Sequence, residues 1–346
     1  MKSDIISNLS KLGAQFEDSL AGKEGSGAYE AFRKEVGEAC LYNPWFAPEF
    51  VELSVRSWSF ALKEEKISRW LSQYPLNSRK PITVAIIMAG NIPMVGLHDL
   101  LCVLASGNNA LVKLSSDDNR LIPAVINMLT EIDPRLSDRI RQTDGIISGF
   151  DAVIATGSNN TSRYFEYYFG KYPHIIRKNR NSAAILTGDE TDSDMESLAL
   201  DIFSYFGLGC RNVSKLFVPE GYPWERLFPH FRDYAWVADH NKYRNNFDYQ
   251  KSILIINGIH HLDNGFMLLR EDMSLISPVS VVNYEYYRHR DQLLERISLQ
   301  QDELQCIVAS GDHAPGAVPF GRAQYTELWD YADGADVMDF LMNIPG

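Results

Sequence analysis

An α/β protein of two domains, preceded by a helical segment, is what this sequence predicts, on three observations. The chain has 346 residues, more than one hydrophobic core comfortably serves when a domain takes roughly 100 to 200 residues. Before position 80, apolar residues recur at spacings of three and four, the period of a buried helix face. From Pro81 onward, short β-branched runs alternate with helical stretches, the pattern of a parallel sheet with crossover helices. Two domains also make a cleft an expected feature.

The helical segment is carried by Trp45, Phe46, Phe50, Val51, Val55, Trp58, Leu62, Ile67, Trp70 and Leu71, whose role is packing. The strand runs that follow are "ITVAIIMAG", "NALVKL", "DAVIATG" and "SAAILTG", with helix candidates between them at 94–105, 119–129 and 158–170. That alternation is the texture of a dinucleotide-binding domain. A long amphipathic stretch, 192–208, leads to Cys210. Strand and helix candidates then alternate again through "VSKLFVP", "PWERLFPHFRDY", "SILIING", "SVVNYEYY" and "LQCIVAS". The change of texture near Ser182 to Asp192 marks the start of a second domain.

Composition excludes several classes. The hydrophobic share is 45% and the charged share 23%, and no apolar run approaches the ~20 residues that span a bilayer. Membrane insertion is not expected. "MKSDIISNLSKLGAQFEDSL" has helical spacing and acidic residues throughout, unlike a cleaved signal, so the expected compartment is the cytoplasm. A formal net charge of −12 disfavours nucleic acid, whose phosphates need a basic face. Cys40, Cys102, Cys210 and Cys306 show no paired spacing, which argues against disulfides and zinc.

Neither G-x-G-x-x-G nor a phosphate-binding G-x-x-x-x-G-K-S/T occurs. After the first strand comes "MAGNIPMVGLHDLLCVLASGNNALVKLSS", in which Lys113 falls at the carboxyl end of a strand, where open α/β sheets bind ligands. An ammonium there can reach a ribose or phosphate oxygen, and Asn91 can donate its amide to an oxyanion. On pattern alone the two also read as a surface lysine and a turn residue. In "ATGSNNTSRYFE", Gly157 permits close approach of the backbone, and Ser158 fits a phosphate contact or a plain helix cap equally well. Cys210, taken alone, is a small buried filler or a nucleophile.

These pieces, in this order, resemble the aldehyde dehydrogenase superfamily. Its Trp-Asn-x-Pro-like turn, Gly-Asn-x-x-Val-x-Lys-x-Ser strand, Thr-Gly-Ser turn and Gly-x-x-Cys turn correspond to "GNIP", "GNNALVKLS", "ATGS" and "GLGC" here, and "SLISPVSVVNYE" resembles its Phe-Gly-Pro-Val segment with Ser277 for the glycine. "FGLGCRNVSKLFVP" and the tail "FGRAQYTELWDYADGADVMDFL" are similar to the LuxC-like fatty acyl-CoA reductases. The resemblance runs from about Pro81 to the C-terminus. It implies an aldehyde-dehydrogenase-like fold: a helical segment 1–80, a dinucleotide-binding domain 81–185, a catalytic domain 186–318 carrying Cys210, and a segment 319–346 returning to the cofactor domain.

The same resemblance implies Cys210 as nucleophile, with Asn91 and the Cys210 N–H holding the oxyanion. It implies a cofactor set of Met88, Gly90, Lys113, Ser115, Ser116, Gly157 and Ser158. Two departures refine it. Arg177 stands about where hydrolytic members have the glutamate that activates water, and an arginine cannot act as that base. Ser116 replaces the glutamate that accepts a ribose 2′-hydroxyl in many NAD-dependent members, which makes NADPH the expected cofactor, with NAD the alternative. A later ribose-binding glutamate is also missing at Ser274, with Glu271 out of register.

The expected activity is NADPH-dependent reduction of an acyl-CoA or other acyl thioester to the aldehyde through an S-acyl Cys210. A semialdehyde or CoA-acylating aldehyde dehydrogenase, or a catalytically silent nucleotide-binding partner in an acyl-transfer complex, stand as alternatives. A thiol at a helix C-terminus meets the unfavourable end of the dipole, for which Arg211 or Lys215 is the expected compensation. "SQYPLNSRKPITVAII" leaves little room for the hairpin through which the family often pairs, so a homodimer is the assembly expected. The histidines make no metal spacing, and only His98, on the helix after "GNIP", is placed where a role beyond packing is conceivable.

Overall fold

A computed structural model describes residues 2–76 and 80–344. Residues 77–79, within the stretch on which the homodimer expectation rests, lie outside them. The chain divides into two compact units, one made of Met1–Asn179 with Tyr325–Gly346 and the other of Arg180–Gln324.

The first unit opens with four helices, α1 (Lys2–Leu20), α2 (Gly27–Tyr42), α3 (Pro48–Ala61) and α4 (Glu64–Ser72). Each buries the stripe its spacing dictates: Leu9, Leu12 and Phe16 in α1, Phe50, Val51 and Val55 in α3, Ile67, Trp70 and Leu71 in α4. Pro48 starts α3 at the position where a missing N–H costs nothing. The sheet follows, from β1 (Thr83–Ile87), α5 (Leu97–Ala105), β2 (Asn109–Lys113), α6 (Leu121–Ile132), β3 (Ile140–Thr143), β4 (Ala152–Thr156), α7 (Asn159–Phe169) and β5 (His174–Arg177). Its order is β3-β2-β1-β4-β5 and all its pairs are parallel. The winding reverses between β1 and β4, so the loops leaving their carboxyl ends diverge and open a crevice there.

The second unit contains β6 (Asn181–Ile185), α8 (Asp192–Phe203), β7 (Val213–Pro219), α9 (Asn241–Ile256), β8 (His261–Asp263), β9 (Leu268–Glu271), β10 (Val281–Tyr287), α10 (Arg290–Leu299) and β11 (Leu304–Ala309). The sheet order is β11-β6-β7-β10-β9-β8, with only β8 and β9 antiparallel. The chain then returns to the first unit, where α11 (Val337–Asn343) packs Val337, Met338 and Leu341 into the core that also holds Trp70 and Leu101. There the Trp70 indole N–H donates to the Tyr331 hydroxyl at 2.7 Å, and the Tyr74 hydroxyl donates to Asp336 at 2.7 Å.

The two α/β units with a helical N-terminal segment are the fold the sequence predicted. Some boundaries differ. The "SAAILTG" run, expected to end the first domain at 185, is β6 and pairs with β7 and β11 of the second sheet. A fully buried strand reads alike in either sheet, and its partners are set by tertiary packing. Residues 319–324, expected in the returning segment, stay with the second unit. "SILIING" is the end of α9 and not a strand, a short apolar run whose period alone does not decide between the two. "PWERLFPHFRDY" forms two 3-10 segments, Trp224–Arg226 and Phe228–Asp239.

Candidate active site

At the carboxyl edge of the first sheet the cofactor candidates come together. Ile87 is in register with Lys113 and with Ala155, so the loops after β1, β2 and β4 leave side by side. The Met88 N–H continues the ladder to the Lys113 carbonyl at 3.0 Å. Gly90 lies against the next loop so closely that a Cβ would sit 2.5 Å from the Ser115 hydroxyl oxygen and 2.9 Å from the Asp118 nitrogen. The contact explains the glycine directly: the two loops share one wall only because no side chain intervenes. Replacing Gly90 by alanine should push the loops apart, an overpacking cost near 1–3 kcal/mol in stability. Thermal denaturation checks it, and adding Ser115→Gly should restore part of the loss.

Around that wall the polar groups are engaged. The Lys113 ammonium donates to the carbonyls of Gly145 at 2.8 Å and Asp144 at 3.3 Å, which holds it over the end of β3. Ser115 accepts from the Asp117 N–H at 3.2 Å, while Ser116 and Asp117 are exposed. Asp118 is buried and accepts from the Met94 N–H at 2.8 Å. Burial pushes its carboxyl up to about 6 against the pull of the N–H groups of Met94, Leu121 and Ile122. Asn91 is exposed at the start of the next loop. Gly157 leads into α7, and Ser158 caps that helix by accepting from the Thr161 N–H at 3.2 Å. The capping role open in the sequence is therefore the one the serine oxygen performs.

Arg177 and His98 are structural. Arg177, 5% exposed at the end of β5, forms a two-pronged pair with Asp99 of α5 at 2.6 and 2.8 Å. His98 sits among the rings of Trp58, Trp70 and Tyr331, with its Nε2 2.9 Å from the Leu328 carbonyl. Burial lowers its affinity for a proton. Burial likewise raises the Cys102 thiol well above its ordinary range, so Cys102 is inert core.

In the second unit Cys210 is exposed on a turn of unusual construction. The stretch 192–208, expected as one amphipathic run, ends as an α-helix at Phe203, and Tyr205, Phe206 and Gly207 follow with φ of 52°, 55° and 77°. Two side-chain-bearing residues in the left-handed region cost about 1–2 kcal/mol each. Buried anchors hold them: the Phe206 ring lies 4.4 Å from that of His240 and 5.7 Å from that of Tyr243, and Tyr205 is 4% exposed. The reversal carries the chain away from the end of α8 before it reaches the thiol.

The carbonyls left at that end are met by one side chain. The Asn212 amide donates to the carbonyls of Ser204 at 2.8 Å and Asp201 at 3.1 Å, and lies 3.5 Å from that of Ile202. Its oxygen accepts from the Gly209 N–H at 2.8 Å. This corrects the expected compensation for the helix dipole. Lys215 is fully buried and committed to Glu285 at 3.2 Å and to the Asp272 carbonyl, and Arg211 donates to the Ala323 carbonyl at 2.5 Å. An asparagine that satisfies the helix end takes the part expected of a cation. From behind, the Ser182 hydroxyl of β6 donates to the Cys210 carbonyl at 2.9 Å.

Comparison with known proteins fits this geometry. A family model described as acyl-CoA reductase (LuxC) matches residues 66–223, a span that holds every candidate residue from Met88 to Cys210. Aldehyde dehydrogenase 21 from Physcomitrella patens, solved with succinate, superposes with a TM-score of 0.60 at 15% identity, covering 97% of this chain and 84% of its own. The indole-3-acetaldehyde dehydrogenase AldA of P. syringae, solved with NAD+, gives 0.62 at 12% identity over 93% and 74%. An NAD-dependent aldehyde dehydrogenase from Sinorhizobium meliloti gives 0.61 at 12% identity over 87% and 70%. No curated protein matches this sequence. The chain has the aldehyde dehydrogenase fold, and residues 66–223 of it are similar to the LuxC acyl-CoA reductases.

Within this fold, sequence reading missed Asn212, Asp201 and Ser182, whose neighbours come from distant positions. Asn212 had a local signal, an amide two residues past the candidate nucleophile, but not its partners. Ser274, where a ribose-binding glutamate is missing, closes its own turn: its hydroxyl donates to Ile276, and Asn283 donates to the carbonyls of Ser274 and Ile276 at 2.9 Å. Among the described residues no group of three His, Cys, Asp or Glu side chains is placed to hold a metal, and no helix is long and apolar enough to cross a membrane.

Proposed function

We propose that the chain reduces an acyl thioester, with acyl-CoA as donor, to the aldehyde through a covalent adduct on Cys210. The observation that carries the reading is an exposed thiol on a strained turn whose flanking backbone is fixed by Asn212, Ser182 and Arg211. A nucleophile held this way spends no further entropy on orientation when substrate arrives. The Cys210 thiolate attacks the thioester carbonyl carbon, its own N–H receives the negative oxygen, and the carbon–sulfur bond to coenzyme A breaks to release that thiolate.

Along the Gly90 wall, Met88, Lys113, Ser115, Ser116, Gly157 and Ser158 would hold a nicotinamide dinucleotide, since the close approach of the two loops leaves the backbone accessible. A reduced nicotinamide dinucleotide would supply the hydride for the thioester carbonyl. The carbon–sulfur bond to Cys210 then breaks, and the thiolate is regenerated as the aldehyde departs. Hydrolysis is disfavoured because Arg177, in place of a glutamate base, is tied to Asp99. NADPH is the expected form, since Ser116 offers no carboxylate against a 2′-phosphate and Lys113 offers a cation.

Intact-protein mass spectrometry after mixing with acyl-CoAs of graded length tests this. The expected result is a mass increase of one acyl group, absent in Cys210→Ala and discharged by NADPH with release of aldehyde. No adduct at any chain length sinks the proposal.

A further inference from the structure

Cys210 is flanked by two residues, Gly209 and Arg211, each held by a different partner, and both chains of contact end on one residue, Asp201, one on its carbonyl and the other on its carboxylate. On one side the Gly209 N–H is held by Asn212, whose amide also donates to the Asp201 carbonyl. On the other side Arg211 donates through Nε to the Ala323 carbonyl. The segment it grips is held in turn by the Asp201 carboxylate, which accepts from the N–H groups of Gly321 at 2.6 Å and Ala323 at 3.0 Å. Asp201 and Ala323 are both fully buried. The bonds form a closed loop, from the Asp201 carbonyl through Asn212 and Gly209 to Cys210, and from Arg211 through 321–323 back to the Asp201 carboxylate.

A core that needed only packing would place an apolar residue at the Asp201 position, because a buried carboxylate is expensive. Burial pushes this one up to about 7, against the pull of the Gly321 and Ala323 N–H groups and the charge of Arg211. Each carboxylate oxygen serves one N–H, so a proton on either oxygen sets an O–H against a donor.

We infer that Asp201 is a positioning residue for the nucleophile, fixing the Cys210 turn by clamping residues 321–323 in concert with Arg211. The inference rests on the reading of Cys210 as nucleophile. Asp201 does not touch substrate. Its effect is to hold the backbone on the C-terminal side of the thiol at the angle from which attack occurs, and a misplacement near 1 Å can cost on the order of a hundredfold in rate.

The test uses the full chain and three variants, Asp201→Asn, Arg211→Met and the double variant. Three quantities are read: the melting temperature, the alkylation rate of Cys210 by iodoacetamide across pH 5.5 to 9, and the acyl-enzyme formation rate against acyl-CoA concentration. The clamp requires Asp201→Asn to slow acyl-enzyme formation about tenfold or more at saturating acyl-CoA while the half-saturating concentration stays within about threefold. Arg211→Met should do the same, and the double variant should be no worse than the poorer single one, since both release the same segment.

The alkylation profile of the unaltered chain should carry an inflection near 7 that Asp201→Asn removes. The sign follows from a folded-state affinity for protons raised above the ordinary carboxylate: the carboxyl's stability contribution is present below about 4 and lost as pH rises through about 7. If Asp201→Asn lowers the melting temperature but leaves both Cys210 rates and the inflection as they were, the residue is structural only and the inference is overturned. Additive rate losses in the double variant would overturn it too. If Asp201→Asn does not fold, Arg211→Met decides alone: unchanged Cys210 rates overturn the clamp, and slowed rates support it. Absence of any acyl adduct in the unaltered chain would instead sink the reading of Cys210, while the alkylation arm still reports on the clamp.

Discussion

Asp99→Ala should destabilise the first unit by about 3–5 kcal/mol, the usual result of stripping one partner from a buried ion pair. In a unit of this size that lowers its thermal midpoint by roughly 10 °C. Asp99 is 5% exposed on α5 and Arg177 5% exposed on β5, and their two-pronged contact at 2.6 and 2.8 Å supplies most of what the guanidinium has. Removing the carboxylate leaves a cation in the core with the Thr156 hydroxyl at 3.4 Å and the charge of Asp333, neither of which replaces the two-pronged contact. Replacing both residues together, Asp99→Leu with Arg177→Met, should recover most of the loss, because two apolar side chains of similar volume leave no charge to solvate. Calorimetry on the single and double variants checks the ordering. Arg177→Glu is the instructive contrast. It restores the residue type of a hydrolytic enzyme, yet it sets two carboxylates face to face in the core, so the expected outcome is an unfolded first unit and not a hydrolase.

That contrast shows where sequence reading stops. Arg177 was singled out in the sequence through a resemblance, as an arginine about where hydrolytic aldehyde dehydrogenases have a base. Its partner was not legible, since Asp99 is 78 positions away and nothing local ties an acidic residue on α5 to a strand three connections beyond β2. The fold was legible for the opposite reason. Helix stripes such as Leu9, Leu12 and Phe16, and strands such as "TVAII" with their buried centres, are local patterns that burial itself imposes. Strand β6 escaped because a buried strand does not announce its sheet. The cofactor edge was half legible: Gly90 could be singled out as a glycine, but only the distance from its missing Cβ to Ser115 gives the physical reason for it. Around Cys210 the motif pointed to the thiol, and everything that holds the turn is non-local or lies in backbone angles no pattern displays.

Asn212→Asp should be the most damaging conservative change in the second unit, and its damage should depend on pH. The amide donates to the carbonyls of Ser204 and Asp201 and is itself only 3% exposed. A carboxylate of the same shape offers those carbonyls no donor and adds a charge against the negative end of α8, which together cost about 3–5 kcal/mol. The acceptor side survives, since a carboxylate oxygen can still take the Gly209 N–H. The variant should therefore fail by releasing α8 and the left-handed turn at Tyr205 and Phe206, whose strain needs surrounding structure to hold it. Protonation restores one donor. The variant's carboxyl is held above its ordinary range when folded, so stability should return as pH falls below about 6 and be lost as pH rises. Thermal denaturation at pH 5 and pH 8, alongside Cys210 alkylation at each, checks this. Should the pH 8 midpoint match that of the unaltered protein, the Asn212 amide is not what satisfies the end of α8.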